Sequence, residues 1–223
     1  MEPRRSGFRP WWSVLTLAVM IVAPLLTSWR VGAAPGATDV VTVAAVNGSG
    51  DPINGYRVIN RQPSANVSRC VSPSPAAVSD NIYACDPSES AAEVCWPAPA
   101  SVLCLFDPWS KTLRRFPSPG ALPAVDPPAN PMPFALLLDD GTRCILPNGF
   151  DFGGGSDGRI PVYGCGQATW SSGVVVAPGT DPAAAINRSR PVWTVIVGQL
   201  GPPNTPMGFV AEHSVTTAWF AGN

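Results

Sequence analysis

The amino-acid sequence predicts a mainly β fold, an antiparallel sandwich or barrel-like domain with three disulfides, preceded by a hydrophobic N-terminal export or anchor helix. Of 27 prolines, only Pro3, Pro10 and Pro24 precede residue 34, which leaves 24 in the rest of the chain. Each one removes a backbone donor and interrupts a helix. Short runs of β-branched and aromatic residues lie between the prolines, as strands do. Six cysteines follow the N-terminal segment, as in a disulfide-stabilised exported chain.

The first 33 residues are predicted to direct the chain out of the cytoplasm. Arg4, Arg5 and Arg9 precede an uncharged apolar run from Trp11 to Trp29, and small residues follow at 32–34. Cleavable signal peptides have apolar cores of about 7–15 residues, whereas a membrane-spanning helix needs about 17–25. Residues 1–33 are therefore either a signal peptide or a single-pass anchor. Both alternatives predict an extracytoplasmic protein, secreted or membrane-anchored.

The charge of the exported part limits its partners. The chain has 14 basic and 15 acidic residues, and removing Arg4, Arg5, Arg9, Arg30 and Glu2 leaves 10 and 14, a net charge of −4. A nucleic-acid-binding protein needs a basic face, and adsorption to anionic lipid also needs positive charge. We expect no nucleic-acid partner, and membrane contact only through an uncleaved N-terminal segment. The expected partner is an unidentified envelope component or protein.

The cysteines predict disulfides and not a zinc site. Zinc sites place cysteine and histidine ligands at short spacing, but these cysteines are 9 to 40 residues apart and His213 is the only histidine. Sequence spacing alone leaves 15 possible pairings. Pairing across hairpins favours Cys144 with Cys165 and Cys95 with Cys104, which leaves Cys70 with Cys85.

The predicted domain divides into residues 34–69, a tether with the first strands, and residues 70–223, the disulfide-stabilised β domain. Thr180 or Asp181 is expected to cap one short helix that begins at Pro182. Residues 117–133 contain seven prolines and form a Pro-rich connection, either an extended surface segment, a linker between two cysteine-bearing halves, or a polyproline-II partner motif. Strands are predicted at 40–46, 56–59, 81–85, 92–96, 102–106, 112–116, 134–138, 142–146, 160–165, 173–176, 192–197 and 208–220.

Residues 154–158 match the G-x-S-x-G pattern of serine hydrolases, with Ser156 in the nucleophile position. Asp181 and His213 follow it in the chain order that such enzymes use. However, the pattern requires a turn from a strand into a helix, and here a strand-like segment follows the serine. The glycines before Ser156 are also unsuited to a central strand. We therefore expect a hairpin loop at Ser156, with a serine hydrolase using Ser156, Asp181 and His213 as the alternative.

Acidic side chains near this loop suggest one further alternative, a calcium site. Asp139, Asp140, Asp151 and Asp157 offer the oxygen ligands that calcium prefers. Their spacing matches neither an EF-hand nor a calcium-binding repeat, and aspartate is common in turns because it bonds to the local backbone. We expect no metal, no cofactor and no catalytic residue.

A possible partner surface surrounds Trp109. This tryptophan lies in the predicted turn Asp107-Pro108-Trp109-Ser110, and Arg114 and Arg115 follow closely. A tryptophan in a turn near arginines can bind a ligand or a partner, although it can also anchor its loop. Trp109, Arg114 and Arg115 are therefore the predicted partner surface.

Five short segments resemble one group of known proteins: Ser72-Pro73-Ser74, Asn81-Ile82-Tyr83-x-Cys85, Asp139-Asp140-Gly141-Thr142-Arg143-Cys144, Tyr163-Gly164-Cys165-Gly166 and Val192-Trp193-Thr194-Val195. Between Cys70 and Phe220 the chain resembles small cysteine-containing exported or lipid-anchored proteins of mycobacteria and related actinobacteria. The resemblance implies export and disulfides, and it implies no catalytic residue. No lipobox cysteine lies near the export segment, so lipid anchoring is not implied.

These observations favour an exported cell-envelope protein of unknown activity, a non-enzymatic module that binds a partner or a wall component. The serine hydrolase is the alternative, and a passive surface protein without a specific ligand is a third interpretation.

Overall fold

The structure is a computed structural model that describes residues 36–59, 66–147, 155–166, 171–202 and 205–223. The predicted export segment, residues 1–33, lies outside the described residues. Ala34–Asn223 form one compact unit. No helix among the described residues has the length and apolar character needed to cross a membrane.

The described residues form a mainly β structure with fourteen strands and two 3-10 helices, Ser88–Ser90 and Pro182–Ala185. The strands are β1 (Asp39–Ala44), β2 (Arg57–Val58), β3 (Arg69–Pro73), β4 (Tyr83–Asp86), β5 (Cys95–Ala98), β6 (Ser101–Asp107), β7 (Thr112–Pro117), β8 (Ala135–Leu138), β9 (Arg143–Ile145), β10 (Ile160–Cys165), β11 (Ser172–Val176), β12 (Ile186–Asn187), β13 (Thr194–Gln199) and β14 (Gly208–Gly222).

Six strands close into an antiparallel barrel in the order β14-β8-β9-β10-β11-β13, because β13 pairs with β14 again. β12 pairs with β13, and β1 runs parallel to β14. The barrel interior contains aliphatic side chains that include Leu136, Leu138, Val174, Val195 and Val215. The predicted barrel-like class is therefore confirmed.

The long strand β14 contributes to two cores because its alternate side chains face opposite sides of the sheet, and an irregularity sets which of them face the barrel interior. The register with β8 shifts between Val215 and Thr217, and a β-bulge changes which face the following side chains occupy. Val215, Ala218 and Phe220 pack in the barrel interior. Trp219 and Ala221 belong to a second cluster outside the barrel.

A second sheet of six strands, ordered β2-β7-β6-β5-β4-β3, packs on that outer cluster. Trp96 and Leu103 of this sheet lie in the same cluster as Ala221 of β14. The indole of Trp96 is fully buried and donates a hydrogen bond to the carbonyl of Gly222 at 2.9 Å. This core joins the second sheet to the barrel.

All three predicted disulfides are confirmed: Cys70–Cys85, Cys95–Cys104 and Cys144–Cys165. Cys95 lies directly opposite Cys104 on β5 and β6, and Cys144 opposite Cys165 on β9 and β10. Each of these two bonds therefore crosses an antiparallel strand pair.

The Pro-rich connection leads from β7 of the second sheet to β8 of the barrel along a path of exposed and half-buried residues. Val125 is its buried anchor, and its backbone exchanges hydrogen bonds with the backbone and side chain of Asn81. The connection thus runs between a strand of the second sheet and a strand of the barrel.

Most predicted strands match observed ones within a few residues, and the short helix is a 3-10 helix capped by Asp181. The prediction at 92–96 is shifted, since the strand is Cys95–Ala98. β3 and β12 were not predicted. β3 carries Ser and Pro beside Cys70, and β12 has two residues, so neither shows the periodicity of a strand.

Candidate functional site

A cleft of about 380 Å³ opens between β1 of the barrel sheet and two turns of the second-sheet region. We call it the aromatic cleft, and its lining comprises Val41, Thr42, Val43, Ala44, Asn54, Tyr56, Pro108, Trp109, Lys111, Phe134 and Trp219. Its volume lies in the range of about 300–1,000 Å³ that is usual for small-ligand sites.

The β6–β7 turn presents Trp109 to the cleft. The Asp107 carboxylate holds this turn, because Oδ1 accepts the Trp109 N–H at 2.8 Å and Oδ2 accepts the Ser110 hydroxyl at 2.7 Å. Such side-chain bonds to nearby backbone are the usual role of aspartate in turns. Lys111 ends the turn with a left-handed φ of 52°.

Trp109 is fixed from two sides. Its ring meets the ring of Trp219 edge-on, with centroids 5.2 Å apart. The guanidinium carbon of Arg143 lies 4.8 Å from the Trp109 ring centroid, within the range of a cation–π contact. Two strands of the barrel, β14 and β9, therefore hold the ring that the β6–β7 turn of the second sheet presents.

Lys111 brings positive charge to the cleft. Its ammonium donates to the Asn54 carbonyl at 3.1 Å and lies 5.8 Å from the ring centroid of Tyr56. Burial raises the pKa of Tyr56 to about 12, so its hydroxyl is neutral at physiological pH. Among the described lining residues, Lys111 is the one charged side chain.

The aromatic cleft therefore combines ring surface, strand backbone and a cation. These groups can bind a ligand with an apolar part and a negative charge, since apolar sites use a few polar groups to fix orientation.

The three residues of the predicted partner surface are not brought together. Trp109 lines the aromatic cleft. Arg114 is only 8% exposed, and its guanidinium stacks 3.8 Å from the ring centroid of Phe106. Arg115 is exposed and donates to the Ser101 hydroxyl at 2.7 Å. Arg114 is thus interior, because alternate residues of a strand face opposite sides of its sheet.

Lys111 and Arg143 supply the positive charge near Trp109, and the sequence interpretation missed both. Lys111 is two residues after Trp109 in the same turn, which is a signal that sequence alone contained. Arg143 lies on β9, far away in the chain, and only the packing of the two sheets brings it to Trp109.

The described contacts do not assemble the alternative hydrolase triad. The Ser156 N–H donates to the Thr205 carbonyl, and the Asp181 side chain accepts the Ala183 N–H as a helix cap. The Nδ1 atom of His213 lies 2.9 Å from Oδ1 of Asp139 and 3.9 Å from Oδ2 of Asp140. Asp139 thus takes the place beside His213 that the triad assigned to Asp181.

The aspartates of the calcium alternative are not all brought together either. Side-chain ligand atoms of Asp139, Asp140 and His213 lie within 4.8 Å of one another. Asp157 is not in this group and forms a salt bridge with Arg159, while Asp151 lies outside the described residues. Desolvation raises the pKa of Asp139, but hydrogen bonds from His213 and the Ser214 N–H outweigh it, so the pKa is lower than usual.

Comparison of the chain with protein-family models, with curated proteins and with solved structures finds no match. The function is therefore inferred from the geometry of the aromatic cleft.

Proposed function

We propose that the protein is an exported cell-envelope binding module and that the aromatic cleft is its ligand site. The cleft itself is the observation that carries this proposal. It is large enough for part of a ligand, its aromatic wall is fixed by Asp107, Arg143 and Trp219, and Lys111 supplies a positive charge.

Two features support an extracytoplasmic location. Three disulfides are compatible with an oxidising compartment, where such bonds persist. The arginines and the apolar run of residues 1–33 have the composition of an export signal or anchor. Fusing residues 1–33 to alkaline phosphatase, which is active only outside the cytoplasm, tests export directly. A fusion without enzyme activity would contradict this part of the proposal.

The contacts of the predicted triad favour binding over hydrolysis. An imidazole that is oriented by a carboxylate, as His213 is by Asp139, is one component of a hydrolase. The nucleophile is the other component, and the described hydrogen bond of Ser156 joins its backbone N–H to the Thr205 carbonyl, with no described contact to His213. Binding at the aromatic cleft requires neither residue.

Photo-crosslinking in the producing cell tests the site. We would introduce p-benzoylphenylalanine at Thr42, an exposed residue of the cleft lining, and separately at Phe209, which is 83% exposed and lies outside the lining. The proposal predicts a discrete adduct from position 42 that position 209 does not give. Equal adducts from both positions, or none from position 42, would support a passive surface protein.

A further inference from the structure

We propose that β1 accepts an added strand from a second polypeptide, whose apolar side chain enters the aromatic cleft and whose acidic side chain meets Lys111. This inference rests on the proposed function, since it names the kind of ligand that the cleft takes. Strand addition at a sheet edge is a general mode of peptide recognition, in which backbone hydrogen bonds give affinity and side-chain pockets give specificity.

The edge of β1 is open among the described strands. β1 is the first strand of the eight-stranded sheet, and β14 is its one neighbour there. An edge strand presents a row of unpaired N–H and C=O groups. The six residues of β1 extend about 20 Å at about 3.3 Å per residue, enough to pair with a short extended segment.

The aromatic cleft runs along this edge. Its lining includes four successive residues of β1, from Val41 to Ala44. Successive side chains of a strand point to opposite faces of the sheet, so a cleft over one face would touch alternate residues. The lining also extends from Trp219, which pairs with Val41, to Asn54, which bonds the Ala44 carbonyl, so the cleft crosses β1 and reaches the edge where an added strand would lie.

The chain itself marks one end of the available edge. The Asn54 side-chain amide donates to the Ala44 carbonyl at 2.8 Å, and the Ile53 N–H donates to the Ala45 carbonyl at 2.9 Å. The backbone from the Ala44 carbonyl onward is thus already paired with this turn, and an added strand is limited to the edge groups of residues 39–44 that precede this carbonyl.

The two ends of the cleft differ in chemistry, and this difference defines the ligand. Trp219 pairs in register with Val41 and meets Trp109 edge-on, so this end accepts an apolar side chain. Lys111 bonds to the carbonyl of Asn54, the residue that also bonds Ala44, so the other end is positive. No carboxylate is among the described lining residues. Charge complementarity therefore favours an Asp or Glu side chain in the ligand.

Selection from a displayed library of random twelve-residue peptides, against the full chain purified from the producing cell, provides the probe. The proposal predicts peptides with an apolar and an acidic residue. Their binding should slow hydrogen exchange of amides within residues 39–44. Methylating peptide amides one at a time should lower affinity at least tenfold at every second position, because alternate amides point toward the edge.

Lys111→Gln should weaken these peptides about five- to tenfold, whereas Arg190→Gln, the same change at an exposed arginine outside the lining, should not. Strand addition would be overturned if the selection yielded no binding peptide, if protection lay outside residues 39–44, or if methylation were tolerated at every position. It would also be overturned if light scattering showed a dimer of two copies and hydrogen exchange showed that β1 is protected in that dimer.

The outcomes separate this inference from the proposed function. An adduct at position 42 without protection of residues 39–44 would support a ligand in the cleft but would reject strand addition to β1. If neither the adduct nor the protection is observed, the aromatic cleft is not the ligand site.

Discussion

Trp109 and Trp219 meet edge-on, with ring centroids 5.2 Å apart and planes at 88°. Trp109 belongs to the β6–β7 turn of the second sheet, and Trp219 belongs to the long strand of the barrel. The pair therefore joins the two sheets at the aromatic cleft and is expected to contribute to both stability and binding.

Replacing Trp109 should destabilise the domain, because both its edge-on contact with Trp219 and its cation–π contact with Arg143 are lost. We expect Trp109→Ala to lower the free energy of unfolding by about 2–3 kcal/mol and Trp109→Phe by less, because a ring remains. Denaturant unfolding measures both. Phe209→Ala is the matched control and should change stability by less than about 0.5 kcal/mol.

A double-mutant cycle with Trp219 should give a coupling of about 0.5–1.5 kcal/mol, and zero coupling would contradict the structural role of the pair.

The disulfides should account for all six cysteines and for much of the stability. Thiol labelling of the denatured, unreduced protein should find no free cysteine. Replacing Cys95 and Cys104 together by Ala should lower the free energy of unfolding by about 3 kcal/mol, since the bond restricts the unfolded chain. Stoichiometric labelling of the native-sequence protein would refute the three-disulfide assignment.

The tyrosines should resist ionisation in the folded protein. Desolvation raises the pKa of Tyr56 from 10.0 to about 12, and it also raises the pKa values of Tyr83 and Tyr163. Phenolate absorbance should therefore appear later in the folded protein than in the unfolded protein as pH rises. Simultaneous titration of folded and unfolded samples would contradict the burial of these rings.

The same raised pKa values predict alkaline destabilisation. The unfolded chain ionises near pH 10, while folded Tyr56 stays neutral until about pH 12. The stabilising effect is therefore complete below pH 10 and is lost as pH rises toward 12. Tyr56→Phe should reduce the slope of unfolding free energy against pH in this range, and an unchanged slope would contradict the assignment.

Ser156 should be dispensable. We expect Ser156→Ala to retain the melting temperature of the parent protein, because its described hydrogen bond uses the backbone N–H. A fluorophosphonate probe should not label the parent protein, with a known serine hydrolase as the positive control. Labelling that disappears in Ser156→Ala would establish the hydrolase alternative.

Most of the fold follows from local sequence patterns. Runs such as Val102–Phe106 are β-branched or apolar and end at turn residues, so their strands could be predicted. Pairing across hairpins predicted two of the three cysteine pairs and left the third. The parallel pairing of β1 with β14 could not be predicted, because it joins Asp39 to Thr217 across most of the chain. Such pairing depends on how the whole barrel closes.

The site was only partly predictable for the same reason. Trp109 was identified from its place in an Asp-Pro turn, but the alternation of β7 places Arg114 in the interior. Trp219 reaches the cleft because the irregularity near Thr217 changes the direction of the following side chains. That irregularity has no signal in the local sequence.

The most direct test of the account is the yield of the photo-crosslink from position 42 when Lys111 is changed. Lys111→Glu should abolish the adduct in cells, because the charge that attracts an acidic ligand is reversed, while Arg190→Glu should retain it. The melting temperatures of both variants establish that each is folded. An undiminished adduct in folded Lys111→Glu would contradict the aromatic cleft as the site of an acidic ligand.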